Sequence, residues 1–297
     1  MSRIIKIGTR GSDLALWQAR FTAELLQHLG YASELVIIKT QGDEIQHLSF
    51  NKMEGKGFFT KEIEAALLDQ SIDLAVHSHK DLETQMPEGL TLAAVPQRSF
   101  VHDLLLIRPE AENPNTPFGI KPDAVIGTSS ARRKAQLLHH LPQCTTLDLR
   151  GNVPTRIQKL RDGKYDAILL AKAGVARLAL DLSEFVAHDL DPTVFIPAPA
   201  QGALALQTRS DDPLAAVLAQ LNIDDAACVA TERETLRLMA GGCQMPFGAY
   251  CTAQDGEFTL HAAFASAADA PVKYLTLTGG NGFALAGRMV EQLKSTL

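Results

Sequence analysis

Cysteine is scarce in this chain. The four residues Cys144, Cys228, Cys243 and Cys251 include no Cys-x-x-Cys pair, so neither a disulfide framework nor a zinc site is specified by their spacing. All four are expected as reduced thiols. No window approaches the roughly 18 apolar residues that a membrane span requires, and no low-complexity tract occurs. The opening residues Met1-Ser2-Arg3-Ile4-Ile5-Lys6-Ile7-Gly8 lack the apolar stretch of a signal peptide, which gives a cytoplasmic location as the expectation. An excess of positive charge is missing too. The net charge is -6, whereas binding to nucleic acid or to an anionic membrane needs a basic surface, so neither partner is expected. Nothing matches the Gly-x-x-x-x-Gly-Lys-Ser/Thr phosphate loop, and no carboxylate set has the spacing of a metal site. Nor does anything point to an obligate interface, and a monomer is expected.

What is present is an ordinary globular composition, 46% hydrophobic and 21% charged over 297 residues, long enough for two or three compact domains. Ile4 to Ile7 reads as a short buried strand. Ser12 then caps a helix whose apolar face is expected at Leu14, Trp17, Phe21, Leu25 and Leu29. The order returns with a strand over Glu34 to Lys39, a helix from about Thr60 to Leu68 and a strand over Ile72 to Val76. Such alternation predicts helices packed on a largely parallel sheet.

A second unit repeats the pattern. Strands are predicted at Leu104 to Ile107 and Ala124 to Gly127 around a Pro- and Asn-rich loop, and Thr128-Ser129-Ser130 caps a helix running to about His140. A strand over Thr145 to Leu149, a helix around Pro154 to Leu160 and a strand over Ala167 to Leu170 follow. Ile7-Gly8-Thr9-Arg10 and Ile126-Gly127-Thr128-Ser129 both end a strand before a helix, a weak echo that supports two similar units. Pro197-Ala198-Pro199-Ala200-Gln201-Gly202 reads as a hinge ahead of a strand over Ala203 to Gln207. From Leu214 the style changes to helices followed by strands, with Asp255-Gly256 as a hairpin turn and a closing helix from Phe283 to Leu293. The expected division is 1-97 with 198-213, then 98-197, then 214-297.

In open α/β sheets, ligands sit beyond the carboxyl ends of the strands. Here those positions carry Thr9, Arg10 and Ser12, then Ser78, Lys80 and Asp81, then Thr128, Ser129, Arg132 and Arg133, with Arg150, Arg156 and Arg177 further on. Any one of these cations reads as a solvated surface group. Five such positions along one edge instead predict an anion site, because hydroxyl-bearing helix starts offer backbone N–H groups and Arg adds a bidentate fork. Many guanidinium groups without a counter-ion would be costly, so a ligand with several carboxylates fits better than one with a single charge.

Cys243 stands apart from the other thiols, which read as buried and inert. Gly241-Gly242-Cys243-Gln244 places it on a glycine-flanked loop, as an accessible nucleophile or attachment point. Asp81 beside Lys80 reads either as a surface turn or as a carboxylate that stabilises a developing cation and carries a proton. His77 and His79 bracket Ser78, but no third ligand has suitable spacing, and no metal is expected. Lys52, Lys56, Phe59 and Lys61 surround the glycines Gly55 and Gly57, which reads as a basic loop or as a lid over an anionic substrate.

Seven segments in order resemble the porphobilinogen deaminase (hydroxymethylbilane synthase) family along nearly the whole chain. They are Gly8-Thr9-Arg10-Gly11-Ser12 with Leu14 to Ala19, Gly55-Lys56-Gly57-x-Phe59-x-Lys61-Glu62, and Val76-His77-Ser78-x-Lys80-Asp81. Gly127-Thr128-Ser129-Ser130-x-Arg132-Arg133, Leu149-Arg150-Gly151-Asn152-Val153-x-Thr155-Arg156, Pro199-Ala200-Gln201-Gly202 and Gly241-Gly242-Cys243-Gln244 complete the set. The resemblance implies an α/β protein of three domains: two lobes like those of type 2 periplasmic binding proteins, and a small α+β C-terminal domain carrying the cofactor cysteine. It implies a dipyrromethane cofactor in thioether linkage to Cys243 and a catalytic role for Asp81. Arg10, Ser12, Ser78, Lys80, Thr128, Ser129, Arg132, Arg133, Arg150, Arg156 and Arg177 would bind acetate and propionate groups, with Lys52, Lys56 and Phe59 in a lid loop. The implied activity is transferase chemistry in tetrapyrrole biosynthesis, acting on porphobilinogen and the growing oligopyrrole. Departures from the family pattern fall at Thr40-Gln41-Gly42-Asp43, at Arg98-Ser99-Phe100-Val101-His102-Asp103 and at His79. A solute-binding protein would also have two lobes and an anion cleft, but leaves Cys243 without a purpose.

Overall fold

The computed structural model describes residues 3–41, 60–240 and 245–295. The chain divides into two compact units, Met1–Ser99 with Gly202–Ala226, and Phe100–Gln201 with Ala227–Leu297.

In the first unit, β1 (Ile5–Thr9) lies between β2 (Ser33–Ile37) and β3 (Leu74–Ser78), all parallel. Its near-continuous burial is that of a strand covered on both faces. On the far side of β3 comes β10 (Leu204–Arg209), antiparallel both to β3 and to β4 (Leu90–Ala94), giving the order β2-β1-β3-β10-β4. Helix α1 (Asp13–His28) starts at Ser12, whose hydroxyl accepts from the Ala15 N–H as expected. Its buried face differs from the expected one. Gln18, Ala19, Thr22 and Leu26 are buried, while Trp17 and Phe21 stack on each other, centroids 5.5 Å apart, at partial exposure. The polar pair tolerates burial because each finds a partner: Gln18 donates to Ser78 and Thr22 to the Gln18 carbonyl. Helix α2 (Lys61–Leu68) buries Ile63 and Leu67 with Ile72 and Ala75.

The second unit repeats this plan. Strand β6 (Val125–Gly127) is parallel to β7 (Thr145–Leu147) and β8 (Ala167–Ala171), and β5 (Asp103–Ile107) runs antiparallel to β8 and to β9 (Val186–Asp189), in the order β7-β6-β8-β5-β9. In both sheets the reversed strand is the first one after the chain enters the unit from the other. Helices α3 (Ala131–His140), capped by Ser130, and α4 (Val153–Arg161), capped by Asn152, follow β6 and β7. The short α5 (Lys172–Arg177) follows β8. Strands β4 and β9 and helix α5 had no counterpart in the sequence reading.

Within the same unit, β11 (Phe247–Gln254), β12 (Glu257–Phe264) and β13 (Lys273–Gly279) form an antiparallel sheet. Helices α7 (Ala226–Leu238) and α8 (Gly282–Lys294) contribute Cys228, Leu236, Leu285, Met289 and Leu293 to a core shared with Phe247 and Leu260. Asp255 and Gly256 make the two-residue turn, both with positive φ (52° and 82°). Helix α6 (Leu214–Leu218) buries Leu214 and Leu218 with Ile5, Ile7 and Leu206, and the first unit runs to Ala226. Among the described residues no single helix is long and apolar enough to cross a membrane.

Candidate functional site

In the first unit the ends of β1 and β3 open onto a cleft. Thr9, buried at the end of β1, donates to the Ala15 carbonyl (3.1 Å) and ties the turn to α1. Arg10 and Ser12 project from that turn into the cleft. Across from them β3 ends at Ser78, whose hydroxyl accepts from Gln18 Nε2 at 2.7 Å. A single 3₁₀ turn, His79–Asp81, then carries the exposed Asp81 to the cleft's edge. Leu14, Ile63 and Val76 form its apolar side. The structure therefore brings together Arg10, Ser12, Ser78 and Asp81. Lys80, on the same turn, is half-buried and does not line the cleft.

His77 lines the same cleft and is buried, with Nε2 3.0 Å from Gln207 Oε1. Burial pushes its pKa down to about 4, and the Arg10 charge acts in the same direction against the Gln207 hydrogen bond. No group of three or more His, Cys, Asp or Glu able to hold a metal ion occurs among the described residues.

In the second unit Thr128 is buried just past β6, donating its N–H to the Leu147 carbonyl (2.8 Å) and accepting from the Ser130 N–H. The Ser129 hydroxyl donates to the Leu149 carbonyl and accepts from the Leu149 N–H, both at 3.0 Å. Arg156 Nε donates to the Gly151 carbonyl at 2.7 Å. Burial lowers the pKa of the partly buried Arg150, and that of Arg177, more deeply buried, to about 10. A desolvated guanidinium of this kind is stabilised by an anion.

Arg132 and Arg133 have a carboxylate partner within the protein. Both are buried on α3 against Asp103, whose side chain has no exposure. Arg132 Nη1 reaches Asp103 Oδ2 (2.8 Å) and the Ile196 carbonyl (2.8 Å). Arg133 uses Nε and Nη2 on Asp103 Oδ1 and Nη1 on the Leu169 carbonyl. Gln201 Nε2 adds a fourth donor to the carboxylate at 3.0 Å. One carboxylate thus faces two guanidinium groups, which leaves a net positive charge at this end of the sheet. Among the described residues, sequence reasoning missed Asp103 and Gln18, which hold site residues in place. Two signals pointed to Asp103: it closes the Arg98 to Asp103 segment set against the family pattern, and it is a carboxylate opening an otherwise apolar strand, Leu104 to Ile107. Cys243, Lys52, Lys56 and Phe59 lie outside the described residues.

Two α/β sheets of matching order carry cations and hydroxyls at their strand ends, and in the first unit a carboxylate stands at the cleft's edge, the arrangement of an α/β protein suited to anionic ligands. The comparisons with known proteins are more specific. A family model described as porphobilinogen deaminase, dipyromethane cofactor binding domain, matches residues 5–216, and one described as porphobilinogen deaminase, C-terminal domain, matches residues 226–281. A porphobilinogen deaminase of a Nitratiruptor species is 45% identical over 246 residues, 82% of this chain and 77% of that protein. That of Chromobacterium violaceum is 44% identical over 264 residues (88% and 83%), and that of Bacillus pumilus 38% identical over 296 residues (98% and 94%). Among solved structures, an ancestral cationic amino acid solute binding protein aligns over 73% of this chain and 87% of its own, with 13% identity and a TM-score of 0.44. The chain belongs to the porphobilinogen deaminase family, transferases also called hydroxymethylbilane synthases.

Proposed function

We propose that this chain joins four porphobilinogen molecules one by one, releasing ammonia at each step, onto a dipyrromethane held in thioether linkage to Cys243, and frees hydroxymethylbilane with water. The observation that carries the assignment of roles is the meeting of Arg10, Ser12, Ser78 and Asp81 in one cleft. A substrate bearing acetate and propionate groups around a pyrrole N–H needs cations and hydroxyls for the first and an acceptor for the second, and this donor set fits both. When bound, dipyrromethane supplies the pyrrole carbon to which the first substrate unit is joined.

The chain's own residues do the rest. The Arg10 guanidinium takes a carboxylate through its fork. The hydroxyls of Ser12 and Ser78 already accept from Ala15 N and Gln18 Nε2, so each directs its O–H donor to the ligand. The Asp81 carboxylate accepts from pyrrole N–H groups, stabilises positive charge that develops as ammonia leaves, and takes up the proton lost from the ring. Lys80, Thr128, Arg150, Arg156 and Arg177 are assigned to the remaining carboxylates. Arg132 and Arg133, which also hold Asp103, and Ser129, which also bonds Leu149, are assigned to the same role. We take Lys52, Lys56 and Phe59 as a lid, and three domains as the working division. The protein is proposed to act as a monomer in the cytoplasm without nucleic acid or membrane partners, on the support of its net charge of -6.

The test is the intact mass of the purified protein beside that of Cys243→Ser. An excess equal to two porphobilinogen units less the ammonias lost, absent from the variant, is expected. A wild-type chain that stays at its polypeptide mass after incubation with porphobilinogen would overturn the assignment.

A further inference from the structure

Behind the cleft of the first unit runs a buried row of four polar side chains. His77 Nε2 lies 3.0 Å from Gln207 Oε1, Gln207 Nε2 donates to Glu64 Oε1 at 3.0 Å, and the Thr60 hydroxyl donates to Glu64 Oε2 at 3.5 Å. The order of donors is forced. A carboxylate only accepts, so the Gln207 amide turns its N–H to Glu64 and its oxygen to His77, which must carry its proton on Nε2. The relative exposures are 6% for His77, 0% for Gln207, 8% for Glu64 and 1% for Thr60. His77 and Thr60, the two ends, line the cleft, and Gln207 and Glu64 do not. The row therefore crosses from β3 through β10 to α2 and joins two walls of the cleft from behind. A third wall is joined by Gln18, which reaches from α1 to Ser78. Apolar side chains would fill the same volume without needing mutual satisfaction, whereas a hydrogen-bonded polar row, in which Gln207 Nε2 also reaches Met86 Sδ at 2.9 Å, favours one arrangement.

We propose that Glu64 and Gln207 are positioning residues for the reaction: they hold His77 and Thr60, and with them the end of β3 from which Ser78 and Asp81 face the substrate. This rests on the assignment of Asp81 made above. Neither residue touches the substrate, so their loss should act on turnover more than on binding.

The experiment measures kcat and KM for porphobilinogen with the cofactor-loaded enzyme, and a melting curve, for Glu64→Leu, Gln207→Leu, both together, and Glu64→Gln. Each Leu variant is expected to lose at least tenfold in kcat with KM within threefold. Glu64→Gln, whose carbonyl still accepts from Gln207, should stay within threefold of wild type. The double variant should be no slower than the slower single, because both changes open one row. Leu variants that melt lower but keep their kcat, or losses that multiply in the double variant, would overturn the proposal. Should the Leu variants not fold, Thr60→Val carries the same test, with kcat expected to fall at unchanged KM and an unchanged kcat counting against. The wild-type chain is the reference throughout: an error in the assigned reaction shows there as absent turnover, and an error in the positioning role shows only in the variants.

Discussion

Arg133 meets Asp103 with two nitrogens, Nε at 3.1 Å and Nη2 at 2.7 Å, both on the single oxygen Oδ1. Arg132 takes the other oxygen, so one carboxylate faces two guanidinium groups where water does not reach. Such pairs contribute little beyond what an apolar replacement would give, but breaking one strands a buried charge. Asp103→Asn is therefore expected to cost about 3–5 kcal/mol, read as a fall in the urea midpoint at unchanged slope. Stability within 1 kcal/mol of wild type would mean that the two arginines are held by their carbonyl partners instead. Burial alone would raise the Asp103 pKa, but the Arg132 and Arg133 charges outweigh it and hold the group well below the usual carboxylate range. With the folded pKa depressed, this stabilisation is present at neutral pH and is lost only as pH falls below about 4.

His77 predicts a dependence at milder acidity. Its folded pKa of about 4 lies below the ordinary 6.5, so between these values the unfolded chain binds a proton that the folded chain refuses. Stability is then complete above pH 6.5 and declines as pH falls toward 4, by about 1.4 kcal/mol per unit from this group alone. His77→Gln keeps a donor for Gln207 and cannot titrate. Urea titrations at pH 7.5 and 5.0 should show a smaller difference in the variant than in wild type, and equal differences would exclude His77 as the source.

The caps and alternation of the two sheets were legible because they are local: Ser12 and Ser130 both accept from an N–H three residues on. The Asp255-Gly256 turn was legible for the same reason. The buried face of α1 was not, since Gln18 is buried on the strength of Ser78, 60 residues away. Strand direction was equally hidden, because an apolar run such as Leu104 to Ile107 reads the same both ways. The site followed this rule. Arg10, Ser12, Ser78 and Asp81 were readable from their places after strands. The fate of Arg132 and Arg133 depended on Asp103, 29 and 30 residues earlier, which no spacing rule connects to them.

The hairpin turn offers a test free of packing effects. Gly256 has φ 82°, and a Cβ added there meets nothing within 4 Å. Gly256→Ala should thus lose only what a left-handed backbone costs an L-residue, about 1–2 kcal/mol, without change in KM. A larger loss, measured by thermal or urea unfolding, would show that the turn has partners beyond its own two residues.

Asp81→Asn separates chemistry from architecture most cleanly. Asp81 is exposed at the end of a short turn, and no described hydrogen bond of the core runs through its side chain, so the variant should melt within a few degrees of wild type. The amide matches the carboxylate in shape but carries no charge to set against a developing cation and takes up no proton. General acid–base groups contribute about 10²–10⁴-fold, and kcat is expected to fall by about that range. The covalent two-pyrrole mass on Cys243 should persist if the protein is produced with its cofactor, because attachment and elongation are read separately by mass and by rate. Asp81→Glu, which restores the charge at a longer reach, should recover part of the loss. An Asp81→Asn enzyme with full turnover would remove the carboxylate from the mechanism and leave the cleft as a binding surface alone.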